Sequence, residues 1–124
     1  MYFNLPLCCN YKVKIHMNAT EFKTRLKEIK ENLKGLTIQF VTNCSVRPYS
    51  SLNEFGNAVL EQEKNGNDFR VDMAWTNEGN IRINSFEQLI ELLKTKSLTC
   101  VTFEAFYQPK DFSDYMRHGY SLND

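Results

Sequence analysis

Residues 69–75 read Phe-Arg-Val-Asp-Met-Ala-Trp, and the fold turns on how that stretch alternates. Phe69, Val71, Met73 and Trp75 take turns with Arg70, Asp72 and Ala74. Side chains on a strand point by turns to the two faces of a sheet, so this pattern predicts a strand with one buried and one wet face. Leu36, Ile38 and Phe40 alternate in the same way with Thr37 and Gln39, as do Val101, Phe103 and Ala105 with Cys100, Thr102 and Glu104. None of these segments is apolar throughout, as strands covered on both faces of a parallel sheet are. The expectation is a two-layer domain with helices on one sheet face and the other face free for a partner.

Working outward, residues 11–16 alternate as a first strand. Asn18 with Glu21 three residues on is an Asn variant of the capping box. It opens a helix whose Phe22, Leu26, Ile29 and Leu33 recur at helical spacing before Gly35. A strand over 36–42 follows, then a loop over 43–50 carrying Arg47 and Pro48. Ser51 with Glu54 starts a second helix whose apolar side is Leu52, Phe55, Val59 and Leu60, ended by Asn65-Gly66. After the strand over 69–75, Asn77, Gly79 and Asn80 mark a turn into a fourth strand over 80–84, making a hairpin. Ser85 with Gln88 caps a third helix bearing Phe86, Leu89, Ile90 and Leu93, and a fifth strand runs over 98–107 until Pro109.

The predicted order is β-α-β-α-β-β-α-β. It describes an α/β (α+β) two-layer sandwich, with a mixed five-stranded sheet and three helices mostly on one face. Residues 12–41 and 80–103 each read as a βαβ unit. The order is similar to ferredoxin-like split βαβ folds with an inserted helix, a likeness of fold that says nothing about activity. Residues 1–10 read as an apolar N-terminal arm, 11–107 as a single domain, and 108–124 as a C-terminal tail. In that tail Phe112, Tyr115 and Met116 fall at helical spacing, so a short docked helix is expected. A start at Met17 would delete the first strand and expose a sheet edge, which favours Met1.

A chain of 124 residues suffices for one domain with its own core. Its formal net charge is zero, which speaks against bulk attraction to nucleic acid or membrane. The charge is unevenly spread. Residues 1–50 hold eight Lys and Arg against Glu21, Glu28 and Glu31, and residues 51–91 hold eight Asp and Glu against Lys64, Arg70 and Arg82. The expected outcome is a mixed surface folded back on itself. Cys8, Cys9, Cys44 and Cys100 have neither C-x-x-C spacing nor the look of a disulfide framework, which favours reduced thiols and a cytoplasmic setting. The two N-x-S/T matches, at Asn18 and Asn43, read as chance. No segment is long enough to span a bilayer, and the first nine residues lack the charged start of a signal peptide.

Three constellations could carry chemistry. Cys44 follows the second strand and His16 ends the first. Were these strands parallel neighbours, a thiol, its base and the charge of Arg47 would meet at their carboxyl ends. Parity opposes this thiol-dependent enzyme, because Cys44 continues the buried series and His16 the wet one. Cys8, Cys9, His16 and His118 miss structural-zinc spacings, so neither metal nor cofactor is expected. Lys23, Lys27, Lys30 and Lys34 fall in a narrow arc of the first helix, a possible phosphate-binding stripe for a nucleic-acid-binding regulator. The aromatics Phe40, Phe69, Trp75 and Phe103 point by parity to the buried side, where no base could stack. The favoured expectation is therefore a small non-catalytic protein that binds another protein. An inhibitor, immunity, antitoxin or anti-defence factor would occlude its target in this way. Glu61, Glu63 and Asp68 would enter a basic groove on the target, with Trp75 and Tyr115 as anchors.

Overall fold

The structure is a computed structural model that describes residues 16–43 and 45–107. The N-terminal arm, residues 11–15 of the first expected strand, Cys44 and the C-terminal tail with Tyr115 lie outside the described residues. Among the described residues six strands and three helices follow one another: β1 (His16–Met17), α1 (Ala19–Leu33), β2 (Thr37–Thr42), β3 (Ser45–Tyr49), α2 (Leu52–Lys64), β4 (Asp68–Thr76), β5 (Gly79–Arg82), α3 (Phe86–Thr95) and β6 (Cys100–Phe106).

Each helix starts where a side chain accepts an orphan backbone N–H. Asn18 Oδ1 accepts from Glu21 N at 2.8 Å, Ser51 Oγ from Glu54 N at 3.3 Å, and Ser85 Oγ from Gln88 N at 3.2 Å. At α3 the box is reciprocal, since Gln88 Oε1 accepts from Asn84 N at 2.8 Å. Gly35 and Gly66, at φ +87° and +79°, take the left-handed turn that ends α1 and α2.

The sheet runs β1-β4-β6-β2-β3, with β5 beside β1 on the same edge of β4. Only β2 and β6 pair in parallel; the other pairs are antiparallel. The two βαβ units expected from the sequence are present as crossovers between parallel strands, but those strands are not neighbours. β4 and β6 lie between β1 and β2, and β4 lies between β5 and β6. A third crossover, β3-α2-β4, follows the same rule, with the hairpins β2-β3 and β4-β5 joining the units.

Two sequence expectations are corrected here. The stretch 43–50 is not a loop, for residues 45–49 form β3, the sixth strand. Pro48 hid it, because proline cannot donate to a ladder and is tolerated only at an edge, which is where β3 lies. Asn43, at φ +46°, turns the chain tightly enough for Thr42 to pair with Ser45. The second correction concerns Trp75. Between Val71 and Met73 the pairing with β6 slips by one residue, so Asp72 is an extra residue, a β-bulge. The bulge exchanges the faces. Ala74 enters the core at 0 % exposure, while Met73 and Trp75 turn to the face away from the three helices. The Ile83 N–H, just past the end of β5, donates to the Asp72 carbonyl at 3.0 Å, so the bulged backbone keeps a partner.

The core lies between the helices and the other sheet face and is built on phenylalanine. Phe22 of α1 stacks on Phe69 at 4.7 Å and meets Phe103 edge-on at 5.4 Å; Phe55 of α2 meets Phe40 edge-on at 5.1 Å. Offset and edge-to-face rings gain attraction beyond the area they bury. Phe86 and Leu89 bring in α3. No helix among the described residues is long and apolar enough to cross a membrane.

Candidate functional site

The lysine stripe of α1 faces α2. The apolar positions Phe22, Ile29 and Leu33 seat α1 on the sheet. That places Lys23, Lys27, Lys30 and Lys34 about a quarter-turn away, along one flank. α1 lies between the other two helices and is tied to each. Lys23 Nζ meets Glu63 Oε1 of α2 at 2.8 Å, while Arg25 meets Glu87 of α3 at 2.9 Å and lies over the Phe86 ring at 5.0 Å. These pairs join the basic first half of the chain to its acidic second half, the back-folded surface that the charge distribution implied.

Between α1 and α2 the packing leaves an open groove of about 820 Å³. Leu26, Leu33, Ile38, Leu52, Phe55 and Val59 contribute its apolar floor. One rim is the lysine flank, the other is Ser51, Asn53, Asn57 and Leu60 of α2. Leu60 follows Val59 by one residue and is therefore turned by about 100° from the core stripe. It remains 46 % exposed, one of two large apolar side chains so exposed among the described residues. The lysines are not equivalent. Lys23 is paired with Glu63, and Lys34 Nζ lies 3.0 Å from Glu31 Oε1. Lys27 and Lys30 make no ion pair among the described residues. The groove thus sets two available cations beside an apolar floor.

The sheet face turned away from the helices is a different surface. Arg70 donates to Glu104 Oε1 from Nε at 2.7 Å and from Nη2 at 2.6 Å, and lies 5.7 Å from the Phe106 ring centre, which meets His16 edge-on at 5.3 Å. Thr102, 5 % exposed, donates to Gln39 Oε1 at 3.1 Å. Trp75 stands opposite Cys100 and Asn80, half-buried, and its buried Nε1–H finds no acceptor among the described residues.

The structure disperses the other candidates. Glu61 is exposed on the outer side of α2, Glu63 is engaged by Lys23, Asp68 opens β4 opposite Phe106, and Trp75 is on the far face. These do not form one acidic surface. His16 lies on β1, three strand positions from β2, which is roughly 14 Å at the usual spacing. Arg47 lies on β3 at the opposite edge, 5.3 Å from the Tyr49 ring centre. β1 and β2 are not neighbours, so the arrangement supposed for Cys44, His16 and Arg47 loses its base. No cluster of three or more His, Cys, Asp or Glu among the described residues could hold a metal. Sequence reading found the lysines but not the groove. Leu60, expected on the apolar side of the second helix, stands off it, and its one-residue step from Val59 is the signal in the sequence. The chain matches no family model, no curated protein and no solved structure.

Proposed function

We propose that this chain is a small non-catalytic protein-binding protein, of the kind that occludes a target as inhibitors, immunity proteins, antitoxins and anti-defence factors do. The α1–α2 groove is its docking site. One observation carries the reading: Lys27 and Lys30, without ion partners among the described residues, border an apolar groove whose rim bears the exposed Leu60. An apolar centre with a charged border is the make-up of a protein interface, where burial supplies affinity and charge supplies orientation. The groove reverses the sign expected from the sequence, because the available charge is basic and the partner's is acidic.

Nucleic acid is the second reading, on the same four lysines. Two of the four are already neutralised by Glu63 and Glu31. Affinity for a phosphate backbone grows with the number of phosphates neutralised, and two available lysines supply little of it.

The test is affinity capture from the native host with the full chain, beside a Lys27→Glu/Lys30→Glu/Leu60→Asp variant and an Arg82→Glu control on β5, at the sheet edge away from α2. The expected result is a protein retained by the wild type and by the control but lost by the groove variant. Capture that ignores the groove substitutions, recovery of nucleic acid alone, or no protein recovered overturns the reading.

A further inference from the structure

The chemistry of the groove's occupant can be read from its walls, given the docking reading above. Both walls are helices, whose backbone hydrogen bonds close within themselves. An extended segment laid between them would bury N–H and C=O groups with nothing to pair with, whereas a helix brings its own pairs. The occupant is therefore helical.

Gly56 gives its position. It sits in the interior of α2, where glycine is the weakest helix former after proline. A Cβ built on it would meet nothing within 4 Å, so crowding inside this chain does not call for glycine. The empty space over it belongs to the groove. A glycine on a helix flank lets another backbone approach closely. Leu60, one turn further along α2, offers apolar surface to whatever lies there, and Lys27 and Lys30 face it from across the groove.

We infer that the groove receives an acidic amphipathic helix of the partner protein, with its backbone against Gly56, its apolar stripe on Leu60 and the groove floor, and its carboxylates on Lys27 and Lys30. This is the helix-in-groove mode of recognition, with charge setting the orientation.

The test titrates the isotope-labelled full chain with three synthetic peptides of ~18 residues, a length that spans the groove as a helix. One has a leucine stripe at helical spacing flanked by Glu. The second has the same stripe flanked by Lys. The third is the first with its order scrambled. The expected result is amide shifts confined to α1 and α2, and an affinity for the acidic helix about tenfold or more above either control, weakening with salt. Gly56→Leu raises the melting temperature yet weakens the acidic peptide by a similar factor of about ten, because it fills the space without harming the fold. Lys27→Glu/Lys30→Glu transfers the preference to the Lys-flanked peptide. Equal binding of the scrambled peptide, unchanged binding by Gly56→Leu, or shifts on the far sheet face overturns the inference. The two levels separate cleanly. A partner captured through the groove in the preceding experiment, without any peptide preference, removes the helix and leaves the docking site. Capture indifferent to the groove removes the docking site itself.

Discussion

Cys100 faces Trp75 across β6 and β4, and burial pushes its thiol up; hydrogen bonds with the Gln39 backbone and with Thr102 pull the other way and do not cancel it. The fold thus favours the neutral thiol. For an acid raised on folding, the stabilising contribution is complete below the unfolded-state value and is lost as pH rises through the folded-state one. Wild type should therefore lose stability relative to Cys100→Ala from the ordinary thiol range upward, while the difference between the two stays constant around neutral pH. Urea unfolding from about pH 7 to about pH 10 measures it. Parity placed residues 69–71 correctly because each side chain there follows from its neighbour. It failed at Met73, Ala74 and Trp75 because one inserted residue inverts everything after it, and no side chain at Asp72 announces an insertion. Leu60 shows the same limit for helices: a leucine next to a core valine reads as core until the angle between them is counted.

The bulge gives β4 two roles. Before Asp72 the strand presents Phe69 and Val71 to the helices; after it, Ala74, which shares the core with Ile83 and α3's Phe86 and Leu89. Deleting Asp72 would make β4 regular and leave the faces as they are, because Met73, Ala74 and Trp75 keep their partners Thr102, Val101 and Cys100 on β6. The cost is confined to the bond that the Asp72 carbonyl accepts from Ile83, about 1 kcal/mol. The expected outcome is a slightly lowered denaturation midpoint and an unchanged emission from Trp75, the chain's only tryptophan; a large emission shift would show that the faces had exchanged. Helix limits were legible because they are written in single residues: Asn18, Ser51 and Ser85 at the starts, Gly35 and Gly66 at the ends. β3 was not legible, because Pro48 interrupts the short segment Ser-Val-Arg-Pro-Tyr and only its pairing with β2 makes it a strand. The groove escaped the sequence for a similar reason, since it exists only where two separately readable helices fail to close.

At the largest scale, three crossovers place all three described helices on one side and stack their aromatics in one cluster. Phe22 stands at its middle, fully buried, against both Phe69 and Phe103. Phe22→Ala should cost about 3–5 kcal/mol, a large share of the ~5–15 kcal/mol typical of a domain, and a denaturant titration should find the variant largely unfolded or close to it. The layers were predictable because strand alternation reports a one-sided core. The strand order was not, because nothing local records which strands lie between the two ends of a crossover. β3 forms one rim of this architecture. The two-residue connection from Thr42 to Ser45 makes that pair hydrogen-bonded, so Val46 and Pro48 are the residues whose backbone nitrogens face outward. Of those two, proline has no hydrogen to give, and the Arg47 charge stands between them. A second sheet arriving from that side finds half its seam missing, so stacking of chains rim to rim into filaments is blocked where the strand would otherwise invite it.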